Sequence, residues 1–251
     1  MHEGEWIVEV EQWYYIPFET RTGAENMAID HYLLDNPRAL PILRGYNFTR
    51  PTLTLGRYQK IEQGYIEQMM HEGIDVVKRV SGGRSVLHVE DFTYSLTFPK
   101  GHKVADFNSI KASYQAISGY FQEFFNSLGI EVEVASRVLG EQGSSECFAS
   151  TSYYELTYKS KKLMGSAQSR NQKGILQHGT LYVSYPRSEG RQSGEKGNMA
   201  IVPLSELGIE TNAKLFYEMF LLFLSHFHIE LKEYTFSNQE WEQIQRYEKK
   251  L

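Results

Sequence analysis

The chain has a single cysteine, Cys147, among 251 residues, which excludes an intrachain disulfide and points to a reducing compartment, the cytoplasm. Residues 1–11 alternate charged and apolar side chains and offer no signal-peptide core, and no later run is long and apolar enough for a bilayer. Neither a leader nor a membrane segment is expected. The phosphate-loop pattern Gly-x-x-x-x-Gly-Lys is missing, as is the dinucleotide turn Gly-x-Gly-x-x-Gly, which weakens a reading that depends on ATP. Nor does any ligand spacing suggest a metal. Excess positive charge is absent too: 26 basic against 31 acidic residues give −5, which argues against general nucleic-acid binding.

Aromatic rings, by contrast, are plentiful. With 17 Tyr and 14 Phe, the chain can pack a core and still spare rings for an apolar slot. Its length supports one domain over residues 1–251 without cross-links, and no repeat, low-complexity tract or interdomain linker divides it.

Residues 13–16 read as a strand, Thr22-Gly23-Ala24-Glu25 as a helix entrance, and residues 26–34 as the helix, stopped by Asn36-Pro37. Two strands, 41–46 and 52–56, precede a short helix over 61–73. Ile74-Asp75-Val76-Val77 leads into Lys78-Arg79-Val80-Ser81-Gly82-Gly83-Arg84-Ser85-Val86-Leu87-His88, and a strand over 92–98 follows. Read alone, Gly82-Gly83 is a hairpin turn; the flanking Arg79, Arg84 and His88 shift the reading toward a binding loop that lets a ligand approach the main chain. Ile110, Tyr114, Ile117, Phe121, Phe124 and Leu128 recur at helical spacing after Ser109, a core stripe closed by Gly129. A hairpin of 152–158 and 162–168 turns at Lys159-Ser160-Lys161, and a strand over 175–185 succeeds it. Residues 186–197, dense in Ser, Gly and charge, read as a surface loop. Residues 212–226 form a second amphipathic helix, and 238–251 a peripheral one.

Cys147 sits in a polar segment, Ser144-Ser145-Glu146-Cys147, an unusual address for a core thiol. As a nucleophile it needs a cation to oppose the nearby Glu141 and Glu146. Lys162 supplies one if the hairpin folds back, and a period of two puts Lys162, Met164 and Ser166 on one face. Gly165-Ser166-Ala167 is small enough to admit substrate against main chain, so that Lys162 and backbone N–H groups could polarise a thioester or amide carbonyl. His88 and His178 follow strand-like segments and could face a common cleft, whereas His226 and His228, two apart on a helix, cannot chelate together.

Taken together, residues 79–88, Ser145-Glu146-Cys147-Phe148 with Tyr154-Glu155-Leu156, and residues 162–170 resemble the lipoate–protein ligase and octanoyltransferase superfamily. Asn26-Met27-Ala28-Ile29-Asp30 and Leu176-Gln177-His178-Gly179-Thr180-Leu181 match it as well, in order and spacing, over about residues 13–185. Cys147-Phe148 ahead of Tyr154-Glu155-Leu156 is most similar to the octanoyltransferases of Gram-positive bacteria. The resemblance implies an α/β (α+β) domain related to biotin ligases, with a mixed central sheet flanked by helices. It further implies transfer of octanoyl from acyl carrier protein, through a thioester on Cys147, to a lysine of a lipoyl-domain protein, the glycine-cleavage H protein. Lys162 would orient the substrate carbonyl. Arg79, Gly82, Gly83 and His88 would line the acyl pocket, with Ser166 and Ala167 near the reacting carbonyl. Arg84 replaces a third glycine common in ATP-using ligases, a departure that favours transfer, for which no cofactor is expected. Rival readings are an ATP- and Mg-dependent ligase, an amidotransferase acting between lipoyl domains, and a non-catalytic acyl-binding module. For an acidic carrier, Arg44, Arg50, Arg57, Lys78, Arg79 and Arg170 are candidates for a basic rim.

Overall fold

Helix α1 (Gly23–Asp35) is the element around which two sheets meet, and its start is written into the sequence. The Thr22 side chain accepts from the Glu25 N–H while the Glu25 carboxylate accepts from the Thr22 N–H, a reciprocal cap that fixes where the helix begins. Within it Asn26 and Asp30, one turn apart, are fully buried and point at Arg44 of strand β2 (Ile42–Phe48). Arg44 is itself 0% exposed. Its guanidinium donates to Asp30 Oδ1 at 3.1 Å, to the Asn26 carbonyl at 3.3 Å and to Asn26 Oδ1. The expectation that Arg44 lies on a surface rim is thereby corrected: a polar helix face needed a buried counterion, and β2 delivers it.

The computed structural model describes residues 10–135, 139–140, 150–151, 155–185 and 201–249; the loop 186–197 lies outside them. The large sheet adds β1 (Glu11–Arg21), β6 (Asp91–Pro99), β7 (Glu133–Val134), β10 (Leu156–Tyr158), β11 (Lys161–Arg170), β12 (Gly174–Tyr182) and β13 (Ile229–Glu233). Their order is β13-β1-β2-β6-β12-β11-β10-β7, with β13, β1 and β2 parallel and antiparallel pairing from β2 onward. In β1 the register slips between Ile16 and Glu19, where Pro17 has no N–H to give to a ladder. A smaller sheet of β3 (Thr52–Leu55), β4 (Asp75–Lys78) and β5 (Val86–His88) runs β4-β3-β5 and carries α2 (Gln63–His71). Residues 139–140 and 150–151 form a separate pair, β8 and β9.

Helices α3 (Ile110–Ser127) and α4 (Ala213–Leu224) cover one face of the large sheet. Their rings, Phe121, Phe124, Phe216 and Phe220, join Trp13, Phe92, Tyr94 and Phe98 in the main core. The core stripe expected along α3 is present at Ile117, Phe121 and Phe124, but Ile110 is 60% exposed at the helix start. On the other face α1 packs with α5 (Asn238–Glu248) over Ile16, Ile29, Tyr32, Ile42, Phe236 and Ile244. The molecule is a mixed α/β domain, as expected. Helix α4 ends at Leu224, and His228 lies beyond a short 3₁₀ turn in a left-handed conformation, φ 55°, so the two histidines do not share one helix.

The glycine loop is not a hairpin. It joins β4 to β5, and β3 lies between those strands, so the chain must cross the end of β3. The sequence pattern hid this because β5 is only three residues long and reads as part of the loop. Gly56, just past β3, permits the crossing: a Cβ there would fall 1.9 Å from the Gly83 carbonyl oxygen.

Two outcomes follow from these contacts. Arg44→Leu strands the buried Asp30 carboxylate and is expected to lower the unfolding free energy by about 3–5 kcal/mol in denaturant titration. Gly56→Ala forces the crossing apart and should cost about 1–3 kcal/mol, read as a lower thermal midpoint.

Candidate active site

Arg79 organises the glycine loop from beneath. Only 6% exposed, it donates Nη1 to the Thr54 carbonyl at 3.0 Å, and Nη2 to the carbonyls of Gly82 at 2.8 Å and Arg84 at 2.6 Å. It also reaches two hydroxyls, Ser81 Oγ through Nε at 3.2 Å and Thr54 Oγ1 through Nη1 at 3.3 Å. A lysine could not make this planar set of bonds. Gly83 takes φ 94°, which a side chain would resist, and the Arg79 Nη2 atom stands 3.0 Å from where its Cβ would be.

Above Arg79 a cavity of about 200 Å³ lies between the two sheets. The small sheet and its loop contribute Thr54, Arg79, Gly83, Arg84, Val86 and His88. Across from them are Thr93, Gly165, Ser166, Ala167, His178 and Thr180, with Glu155 and Gly179. Met27 and Tyr46 complete the lining. Most residues expected to form the acyl pocket are thus brought together; Gly82 is the exception and lies outside the lining, facing Arg79 through its carbonyl.

His178 and His88 do face this common cavity, each in a chain that begins at Arg79. Asp30 Oδ2 is 2.9 Å from His178 Nδ1, and Ser81 Oγ is 2.5 Å from His178 Nε2. Asp91 Oδ2 is 2.6 Å from His88 Nδ1, and Thr54 Oγ1 is 3.0 Å from His88 Nε2. A guanidinium only donates and a carboxylate only accepts. In the neutral rings the proton therefore sits on Nδ1, toward the carboxylate, and Nε2 accepts from the hydroxyl whose oxygen Arg79 holds. Burial raises the pKa of the Asp30 carboxyl, but the His178 hydrogen bond and the Arg44 charge more than reverse this and hold it below the usual carboxylate value. Tyr46, which donates to Asp30 Oδ2 at 3.0 Å, is pushed well above its usual pKa by burial and by Asp30, and stays protonated.

Lys162 is fully buried and bonded to Glu155 Oε1 at 2.8 Å. Its Cε and Nζ lie 2.7 and 2.9 Å from where a Cβ on Gly165 would sit, so Gly165 is small because the lysine occupies that space. The expected alternation of Lys162, Met164 and Ser166 fails here. The register between β10 and β11 slips at Leu156/Thr157, placing two β11 residues against one, and this bulge turns Lys162 toward Gly165. The Ser166 hydroxyl instead meets Tyr94 at 3.0 Å over Gly179, whose missing side chain leaves room for both. Burial pushes the Tyr94 hydroxyl up to about 12.

Cys147 lies outside the described residues. Of the rim candidates, Arg44 and Arg79 are buried, and Arg170 spends its guanidinium on the carbonyls of Asp106, Phe107 and Ser109 and on Gln168. Arg50 approaches Asp75 at 3.6 Å; Arg57 and Lys78 remain exposed near the loop. Sequence reasoning assigned no site role to Thr54, Thr93, Thr180 or Asp91, nor to Glu155 as the partner of Lys162. Isolated Thr, Asp and Glu carry no spacing signal, and only the strand register reveals what they face.

Comparison with known proteins agrees with this arrangement. The profile of the lipoyl protein ligase A/B catalytic domain matches residues 22–196. A protein named octanoyltransferase LipM from Carboxydothermus hydrogenoformans is 39% identical over 178 residues, covering 69% of this chain and 66% of that protein. One of the same name from Halalkalibacterium halodurans is 31% identical over 266 residues, covering 94% and 95%. In most of the first relatives the match thus spans about two thirds of their length. Among solved structures, the bipartite lipoate protein ligase of Thermoplasma acidophilum superposes with a TM-score of 0.72 at 16% identity, covering 96% of this chain and 93% of that one. A lipoate-protein ligase A bound with ATP gives 0.68 at 16% identity, covering 96% and 95%. At such identities the superpositions speak for the fold alone. Motifs, cavity and profile converge, and the chain belongs to the lipoyl protein ligase A/B catalytic domain family.

Proposed function

We propose that the protein is an octanoyltransferase of lipoate biosynthesis in the cytoplasm. It takes octanoyl from acyl carrier protein onto Cys147 as a thioester and passes it to a lysine of a lipoyl-domain protein such as the glycine-cleavage H protein. The observation that carries this reading is the near full-length match, 94% and 95% of the two chains, to an octanoyltransferase from Halalkalibacterium halodurans. The site supports it chemically. An acyl thioester is already activated, so the first step exchanges one thioester for another, and no cofactor is required.

Each residue then has a task. The Lys162 ammonium, bonded to the Glu155 carboxylate, lies behind Gly165, a residue of the cavity lining, and from there it can stabilise negative charge developing on the acyl oxygen. Arg84, which lines the cavity, stands where a ligase of the family would offer bare backbone to a nucleotide. Burial of an octanoyl tail is worth roughly 0.8 kcal/mol per methylene, enough for the slot to hold and measure the chain.

Intact-mass spectrometry of the protein with octanoyl acyl carrier protein and no ATP should show an octanoyl adduct that hydroxylamine removes and Cys147→Ser abolishes. Absence of the adduct, with acceptor modified only once octanoic acid and ATP are supplied, makes the protein a ligase. Lys162→Met is expected to slow transfer by about 10²–10³-fold and also to destabilise, since Glu155 loses its counterion. In the double variant Lys162→Met/Glu155→Met stability should return while transfer stays slow; recovery of both would assign the pair a purely structural role.

A further inference from the structure

One edge of the small sheet carries charge against the trend of the chain. The protein is −5 overall, yet neither residues 51–61 nor residues 76–89 contain an Asp or Glu, while together they hold Arg57, Lys60, Lys78, Arg79 and Arg84. The fold joins the two stretches. Lys78 pairs with Leu55 at the end of β3, the Arg57 N–H donates to the Ser81 carbonyl at 2.8 Å, and the Gln59 N–H closes a tight turn on the Gly56 carbonyl at 2.9 Å. Arg57 and Tyr58 form the corners of that turn, with the guanidinium 5.5 Å from the ring centre. Tyr58 is 78% exposed and belongs to no core cluster. Arg57, Lys60 and Lys78 are exposed and form no ion pair among the described residues. Arg84 carries the same charge into the cavity lining. The first acid after Arg57 in sequence is Glu62, at the start of α2. A large exposed ring among cations, on a turn fixed by hydrogen bonds, has the composition of an interface centre, where Tyr and Arg are enriched.

We infer that this edge is the docking surface for the acyl donor, a carrier protein that presents a carboxylate-rich face and a phosphodiester-linked arm to the cations around Tyr58. Charge decides between the two partners of the reaction. The acceptor delivers a lysine ammonium, which an edge built of Arg57, Lys78 and Arg84 repels, whereas the donor delivers its acyl group behind a phosphate. Arg84 belongs to both the charged edge and the cavity lining, so an anionic arm is drawn along the path that its acyl end takes. The inference rests on the proposed acyl transfer for the nature of the donor.

Rapid-quench measurement follows adduct formation from octanoyl carrier protein and from octanoyl pantetheine, an uncharged thioester with no carrier. The proteins compared are wild type, Arg57→Glu/Lys78→Glu, Tyr58→Ala and the control Lys111→Glu/Lys214→Glu, whose lysines are exposed on α3 and α4. With the carrier at low ionic strength, the Arg57/Lys78 variant should react about 100-fold more slowly and Tyr58→Ala about 10-fold more slowly. Added salt should slow the wild type and leave the Arg57/Lys78 variant little changed. All four proteins should use octanoyl pantetheine within about twofold of one another. Equal loss with both donors, a control as impaired as the Arg57/Lys78 variant, or loss confined to acceptor acylation overturns the inference. If the wild type forms no adduct from either donor, the acyl-transfer reading fails, and titration with acyl-free carrier protein decides the docking surface by itself: binding that Arg57→Glu/Lys78→Glu weakens sustains it, and equal or absent binding overturns it.

Discussion

A single guanidinium, that of Arg79, anchors both histidine chains of the cavity. Because it can only donate, the oxygens of Ser81 and Thr54 are obliged to accept from it, and their own protons turn outward to His178 and His88. At the far ends Asp30 and Asp91 can only accept. With the rings neutral, donor-only and acceptor-only termini therefore give each chain its direction. The same residue holds three main-chain carbonyls, so the shape of the glycine loop and the polarity of both histidines are not independent features. A site fixed at both ends in this way needs little rearrangement when charge develops inside it.

The two sheets divide the labour. The large sheet supplies rigid walls, with Thr93, Gly165, Ala167, His178 and Thr180 held in ladder register. The small sheet supplies the opposing surface through short strands and one crossing loop. Helix α1 locks them together, because Asp30 faces His178 of the large sheet and Arg44 of β2 at once, while α1 also packs on β4. Buried charge here specifies where the sheets meet, at a desolvation cost that hydrophobic packing of the same volume would not incur.

How much of this was legible in the sequence depends on the range of the interaction. The reciprocal cap of α1 and the Phe stripe of α3 are local, and residue spacing alone revealed them. The convergence of Arg79, Gly83, His88 and Ala167 came from motif resemblance, that of Gly165 and His178 from the small-residue run and the strand-like segments, and all six line one cavity. What escaped was set by pairing between distant strands. The bulge that turns Lys162 toward Gly165 depends on how β10 meets β11, and no period of two can show it. Arg44 looked like a surface cation because its partners lie on a helix 14 and 18 residues earlier. The Thr93–Thr180 contact joins residues 87 apart on two strands whose antiparallel pairing no motif shows.

The position of β13 bears on how the protein is made. Strand β1 lies between β2 and β13, and its outer edge pairs with residues 229–233. During synthesis β1 therefore waits, half paired, until more than two hundred further residues have left the ribosome. Closure by such a distant segment gives a slow, late-committing topology, and a nascent chain carrying an open strand edge beside Trp13 and Ile16 is a natural client for holding factors. The edge that replaces it in the finished molecule, with Glu230, Lys232 and Glu233, is charged and ill suited to further pairing.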